Sequence, residues 1–123
     1  MKVLIIEDAE LPLKYMEEVL CGLNHTVNVA VCVDFARKLL TCGDYDLVLL
    51  DHRLPMFEGD DDEPVGYGMI DEINKTNPNA IIVGTSSLSK NEVRWSGFNL
   101  PGRTMDKTNP WDEIPRVLKE IQK

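Results

Sequence analysis

The sequence predicts a single-domain α/β protein, a parallel sheet covered by helices on both faces. Three observations lead there. Short apolar runs recur along the 123 residues, and most are unbroken. Helically spaced apolar residues fill the gaps between them. The alternation of the two implies parallel strands joined by right-handed crossover helices.

The strand candidates are Val3-Leu4-Ile5-Ile6, Val27-Asn28-Val29-Ala30-Val31, Leu47-Val48-Leu49-Leu50 and Ala80-Ile81-Ile82-Val83. Unbroken runs suit strands covered on both faces. The second run alternates, as expected at a sheet edge. Arg103-Thr104-Met105 is a weaker fifth candidate.

Helices are expected between them. Leu13, Met16, Val19, Leu20 and Leu23 share one helical face, with Pro12 acceptable in a first turn and Gly22 near the end. Asp34 is a candidate N-cap for a helix with Phe35, Leu39 and Leu40 as apolar positions, ending near Gly43. Met69, Ile70 and Ile73 mark a third helix, stopped before Asn77-Pro78-Asn79. Ser89 to Glu92 has capping-box spacing, and Val93 and Trp95 continue it. Ile114, Val117, Leu118 and Ile121 mark the last helix, in which Pro110 and Pro115 are not expected to sit together.

Composition narrows the function. The net charge of −8 disfavours direct binding to nucleic acid or an anionic membrane. No apolar run reaches the length of a membrane span, and the N-terminus does not read as a signal peptide. Cys21, Cys32 and Cys42 lack paired spacing and read as free thiols in a reducing, cytoplasmic compartment, small buried hydrophobes in packing terms. His25 reads as a structural turn residue, and Asp44 and Asp46 as turn residues before the third strand.

In open parallel sheets, ligands bind beyond the carboxyl ends of the strands. There the chain places Glu7 and Asp8, then Asp51, then Thr85, then Asp106 and Lys107. The stretch DYDLVLLDHRLP shows the pattern: an apolar run ending abruptly in a carboxylate. Carboxylates gathered at one edge repel one another and call for a cation. Mg²⁺ takes oxygen ligands of this kind. A lysine and a hydroxyl beside it suit phosphate oxygens, and an Asp so placed can act as a nucleophile toward phosphorus.

From VLIIEDAE through LVLLDHRLP and IIVGTSS to MDK, the sequence resembles the receiver domains of two-component response regulators. The resemblance implies a flavodoxin-like (βα)5 sandwich of strand order 2-1-3-4-5. It implies Mg²⁺-dependent phosphoryl transfer (Mn²⁺ as a substitute) from a histidine kinase or histidine phosphotransfer protein to Asp51. Position by position, Asp8 and Asp51 bind the metal directly, the backbone carbonyl of Arg53 is a third ligand, and Glu7 acts through water. Lys107 pairs with a phosphoryl oxygen, and Thr85 turns its hydroxyl to another. Such a domain is a phosphoacceptor that promotes its own phosphorylation and dephosphorylation rather than an enzyme with turnover. It switches a protein-binding surface toward a downstream target or output domain. Only Gln122 and Lys123 follow the last helix, so no output domain is expected within these residues.

Three departures stand out. Thr104 occupies the place of the family's fifth-strand aromatic, so that half of the switch is either missing or taken over by Trp95, Phe98 or Trp111, three residues that read equally as simple packing. Lys107 is followed by Thr-Asn-Pro rather than by proline, so a trans bond is expected there, with Asp106 as a competitor for the lysine. The loop at about 56–67 carries Glu58, Asp60, Asp61, Asp62 and Glu63. It reads first as a solvated, flexible acidic loop and second as a lid over Asp51. His52 reads as a packing or supporting residue. Arg53 reads as tuning hydrolysis or as projecting into solvent.

Two other functions compete. One is a phosphorylation-independent adaptor on the same fold, favoured by Thr104 and the altered lysine loop. The other is an Asp-nucleophile phosphatase, disfavoured because Arg53 stands where such enzymes place a second Asp.

Overall fold

The computed structural model describes residues 1–86 and 104–121. Arg103 of the fifth strand candidate, the helix expected from Ser89, and Trp95 and Phe98 lie outside the described residues.

The elements alternate as expected. They are β1 (Lys2–Ile6), α1 (Glu10–Gly22), β2 (Thr26–Ala30), α2 (Val33–Cys42), β3 (Leu47–Asp51), β4 (Arg53–Leu54), β5 (Glu63–Pro64), α3 (Met69–Thr76), β6 (Ile81–Ser86), β7 (Thr104–Asp106) and α4 (Pro110–Ile121). A 3-10 turn over Gly66–Gly68 leads into α3. Five strands form one parallel sheet of order β2-β1-β3-β6-β7. This is the expected order, with β6 and β7 as the fourth and fifth long strands and the alternating β2 at an edge.

The unbroken apolar runs are explained by two cores. Leu4, Ile6, Val48 and Leu50 pack with Val33, Ala36 and Leu40 of α2 and Met69, Ile70 and Ile73 of α3. Val3, Ile5, Leu47 and Leu49 pack on the other face with Met16 and Leu20 of α1 and Ile114, Val117 and Leu118 of α4. Successive strand residues point to opposite faces, so a strand roofed on both sides needs apolar residues throughout.

Several local expectations are corrected. The N-cap of α2 is Cys32, not Asp34, which lies in the first turn. Phe35 is exposed, and the core face of α2 is Val33, Ala36 and Leu40. Both prolines lie in α4. Pro110 opens it, where a missing N–H is harmless, and Pro115 removes the N–H that would reach back to Trp111. Of the three free cysteines only Cys32 is buried. After α1, Asn24 takes a left-handed backbone (φ 65°), which asparagine tolerates.

The turns at the far end of the sheet are tied by polar side chains. Asp46 accepts the Lys2 N–H at 2.8 Å. His25 Nδ1 lies 3.0 Å from the N-terminal ammonium. Asn77, buried after α3, accepts the Tyr45 N–H at 2.8 Å and donates to the Leu40 carbonyl at 3.1 Å. Asn77→Ala strands a buried donor and a buried acceptor. We expect a loss of about 2–4 kcal/mol, read as a lower urea midpoint at unchanged slope.

Candidate functional site

The carboxyl edge of the sheet gathers the acidic residues. β1 ends at Ile6, but Glu7 stays in register with β2 through its N–H to the Ala30 carbonyl, 3.0 Å. That anchor turns the Glu7 side chain inward, fully buried. Asp8 is exposed at the rim. Asp51 closes β3 and is 7% exposed, held by the apolar residues that precede it. Glu7, Asp8 and Asp51 each offer a carboxylate oxygen, and these lie within 4.8 Å of one another.

Lys107 reaches this cluster from the turn after β7. Its Nζ donates to both Glu7 oxygens, at 2.9 and 3.0 Å, and lies 3.3 Å from Asp51 Oδ2. Glu7 is therefore the nearer partner of Lys107, a relation the sequence did not disclose. Asp106 does not compete for the lysine: its Oδ1 accepts from the N–H and hydroxyl of Thr108. Among the described residues no peptide bond is cis.

Thr85 lies within β6, directly opposite Asp51 on β3 and Met105 on β7. It was expected just after the strand, which in fact runs on through Ser86. Its Oγ1 is buried with no hydrogen-bond partner among the described residues. A buried hydroxyl without a partner is costly unless a ligand completes it.

Electrostatics follow from burial. Desolvation, aided by the charge of Asp51 and only partly offset by Lys107, raises the Glu7 carboxyl to about 7. Burial also raises Asp51, against the pull of Lys107. For Lys107 burial acts to lower the pKa, but the charges of Glu7 and Asp51 outweigh it and the net shift is upward. Two buried carboxylates share one ammonium, so the cluster is short of positive charge. The donor set is all oxygen, which fits a hard divalent cation.

The residues after Asp51 form a hairpin. Arg53–Leu54 pairs antiparallel with Glu63–Pro64. Arg53 turns to the loop, its Nη2 3.3 Å from Asp62 Oδ1 and 3.2 Å from the Asp62 carbonyl. The acidic tip is solvated as expected, but a ladder and an ion pair organise it where a flexible loop was expected. His52 is half-buried, its N–H donates to Asp51 Oδ1 at 2.9 Å, and burial lowers its imidazole. Trp111 packs tilted against Tyr15 of α1, ring centroids 5.2 Å apart and ring planes 47° to each other.

The sequence also gave no sign of what Gly66 does. Its N–H donates to the His52 carbonyl at 2.8 Å. A Cβ there would collide with the Asp51 carbonyl oxygen and lie 2.6 Å from the His52 Cα. Gly66→Ala must therefore push the hairpin off the end of β3. We expect a loss of about 1–3 kcal/mol in stability, together with weaker Mg²⁺ binding by titration calorimetry.

Comparison with solved structures shows what this architecture is. Over 98% of the chain it superposes on 93% of a CheY-like response regulator receiver domain protein from Methanospirillum hungatei JF-1, with a TM-score of 0.76 at 18% identity. The chain has the receiver fold. The response regulator TrrA from Thermotoga maritima, determined in complex with Mg(2+)-BeF, matches 97% of the chain and 96% of its own at a TM-score of 0.73 and 22% identity. The signal receiver domain of an HD domain-containing protein from Pseudomonas fluorescens Pf-5 matches at 0.73 and 22%, over 98% of the chain and 84% of its own. No family model matches the sequence. Among curated proteins, the aerobic respiration control sensor protein ArcB of Escherichia coli K12 is 41% identical over 59 residues, 48% of this chain. The same match occurs in Shigella flexneri, and in both it spans only 8% of the curated protein. Among the described residues of this receiver fold, no helix is long and apolar enough to cross a membrane.

Proposed function

We propose that the chain is a phosphoacceptor in a phosphorelay, with Asp51 as the residue modified. The observation that carries this is the cluster at the carboxyl edge of the sheet, in which Glu7 and Asp51 are buried and Asp8 is exposed at the rim. Glu7, Asp8 and Asp51 offer oxygens within 4.8 Å of one another, Lys107 reaches two of them, and Thr85 presents an unpartnered hydroxyl next door in register. TrrA, of similar fold, was determined with Mg(2+)-BeF.

In the reaction, an Asp51 carboxylate oxygen attacks phosphorus and the bond from phosphorus to the donor breaks. With a phosphohistidine donor the bond is P–N, and the imidazole leaves and regains a proton from solvent. With acetyl phosphate the bond is P–O, and acetate leaves. Asp8, Asp51 and the Arg53 carbonyl would hold Mg²⁺, which supplies positive charge to the phosphoryl oxygens. Glu7 supports the site by holding Lys107 in place. Lys107 turns part of its donor capacity to a phosphoryl oxygen, and Thr85 gives its hydroxyl to another. The protein is a stoichiometric acceptor, its donor a histidine kinase or histidine phosphotransfer protein and its reader a downstream protein or output domain, acting in the cytoplasm.

The test is incubation with Mg²⁺ and acetyl phosphate, read by intact mass. One phosphoryl group per chain, mapped to the Asp51 peptide, is expected. A chain that takes up none, from acetyl phosphate or from histidine kinases, is an adaptor instead. Release of many equivalents of phosphate per chain would make it a phosphatase.

A further inference from the structure

The start of α2 is capped by another part of the chain. Its N-cap residue, Cys32, makes no side-chain capping bond. Instead, the N–H of Val33 donates to the Pro55 carbonyl at 2.9 Å and the N–H of Asp34 to the Met56 carbonyl at 3.0 Å. Such first-turn donors have no partner within their own helix. These two carbonyls lie four and five residues past Asp51, on a short and stiff path. His52 donates to Asp51 Oδ1, Leu54 is fully buried, and Pro55 has a fixed φ. On the other side, Gly66 presses on the Asp51 and His52 backbone. The residues of β7, Thr104, Met105 and Asp106, include no aromatic ring that could answer a change at Asp51.

We infer that residues 52–56 relay the state of Asp51 to the first turn of α2. This rests on Asp51 being the phosphoacceptor. An acyl phosphate places three strong acceptor oxygens beside the His52 N–H, which now bonds the free carboxylate. The peptide after Asp51 re-forms its hydrogen bond to the new group. Close packing around Leu54 prevents the shift from being absorbed locally, so it passes to the Pro55 and Met56 carbonyls. These draw away from Val33 and Asp34, and the first turn of α2 loosens. The signalling surface is then the α2 start and the hairpin beside it.

The experiment is residue-resolved amide exchange on the full chain in Mg²⁺, before and after acetyl phosphate, with intact mass on the same sample. The Val33 and Asp34 amides are expected to exchange at least fivefold faster in the phosphorylated form, while Val117 and Leu118 of α4 change less than twofold. Cys32→Ser gives α2 a side-chain cap of its own. It should take up phosphate equally and show less than a twofold response at Asp34. With the adduct present, an unchanged or slower rate at Val33 and Asp34 overturns the inference. An equal change in α4, or a full response at Asp34 in Cys32→Ser, overturns it as well. No adduct on the wild-type chain overturns the phosphoacceptor reading and the relay with it, so the two failures are distinct.

Discussion

Lys107→Met is expected to lower stability by roughly 3–5 kcal/mol at pH 8 without divalent metal, because it leaves two buried carboxylates without their cation. The loss should shrink toward pH 5. In the folded protein Glu7 holds its proton up to about 7, whereas the unfolded chain releases it near 4.5. The fold thus binds the extra proton across that window. This contribution to stability is complete below the unfolded value and is lost as pH rises through the folded one. For the wild-type chain the Glu7 contribution falls by on the order of 3 kcal/mol between pH 4.5 and pH 8. Asp51, also raised, acts in the same direction. Without Lys107 both carboxyls rise further, and the decline extends past pH 7. Urea midpoints at pH 5, 6, 7 and 8 measure this. An equal loss at pH 5 and pH 8 would mean that Lys107 acts by packing rather than by charge. Adding Mg²⁺ at pH 8 should recover much of the wild-type decline.

Asp51→Asn should abolish the phosphoryl adduct, since an amide oxygen is not the carboxylate nucleophile the reaction needs. It should also make the metal-free protein more stable at pH 8, by about 1–2 kcal/mol. Asp51 is the second-largest cause of the raised Glu7 carboxyl, and its removal lets Glu7 ionise against Lys107 alone. Intact mass after acetyl phosphate and urea midpoints on the same preparation test both halves. An adduct that persists in Asp51→Asn moves the acceptor elsewhere. A less stable variant would show that the 3.3 Å contact with Lys107 outweighs the repulsion.

The sheet was legible because its physics is local and periodic. A strand covered on both faces must be apolar throughout, and its polar residue appears only where the cover ends. That rule leads from Leu47-Val48-Leu49-Leu50 to Asp51, and from Val3-Leu4-Ile5-Ile6 to Glu7 and Asp8. What was not legible depends on pairs far apart in sequence. Glu7 and Lys107 are separated by 100 residues, and no spacing announces that one holds the other. The caps on α2 come from backbone carbonyls, to which side-chain identity gives no access; Asp34 looked like the cap because only side chains can be read. The acidic loop misled for a related reason. Its charges are exposed, but its order comes from the Arg53–Asp62 pair and the backbone ladder.

The hairpin places Glu58, Asp60, Asp61 and Glu63, all exposed, seven to twelve residues along the chain from Asp51. It therefore bears on encounter rates as well as on structure. At about 0.1 M salt a charge is felt over roughly 10 Å, and adding salt shortens that reach. Acetyl phosphate is an anion and meets this rim against repulsion, so its phosphorylation rate should rise with ionic strength. A protein donor with a basic face around its phosphohistidine should instead slow as salt is added. The sign of the salt dependence thus reports the charge of whatever approaches Asp51, before the donor itself is identified.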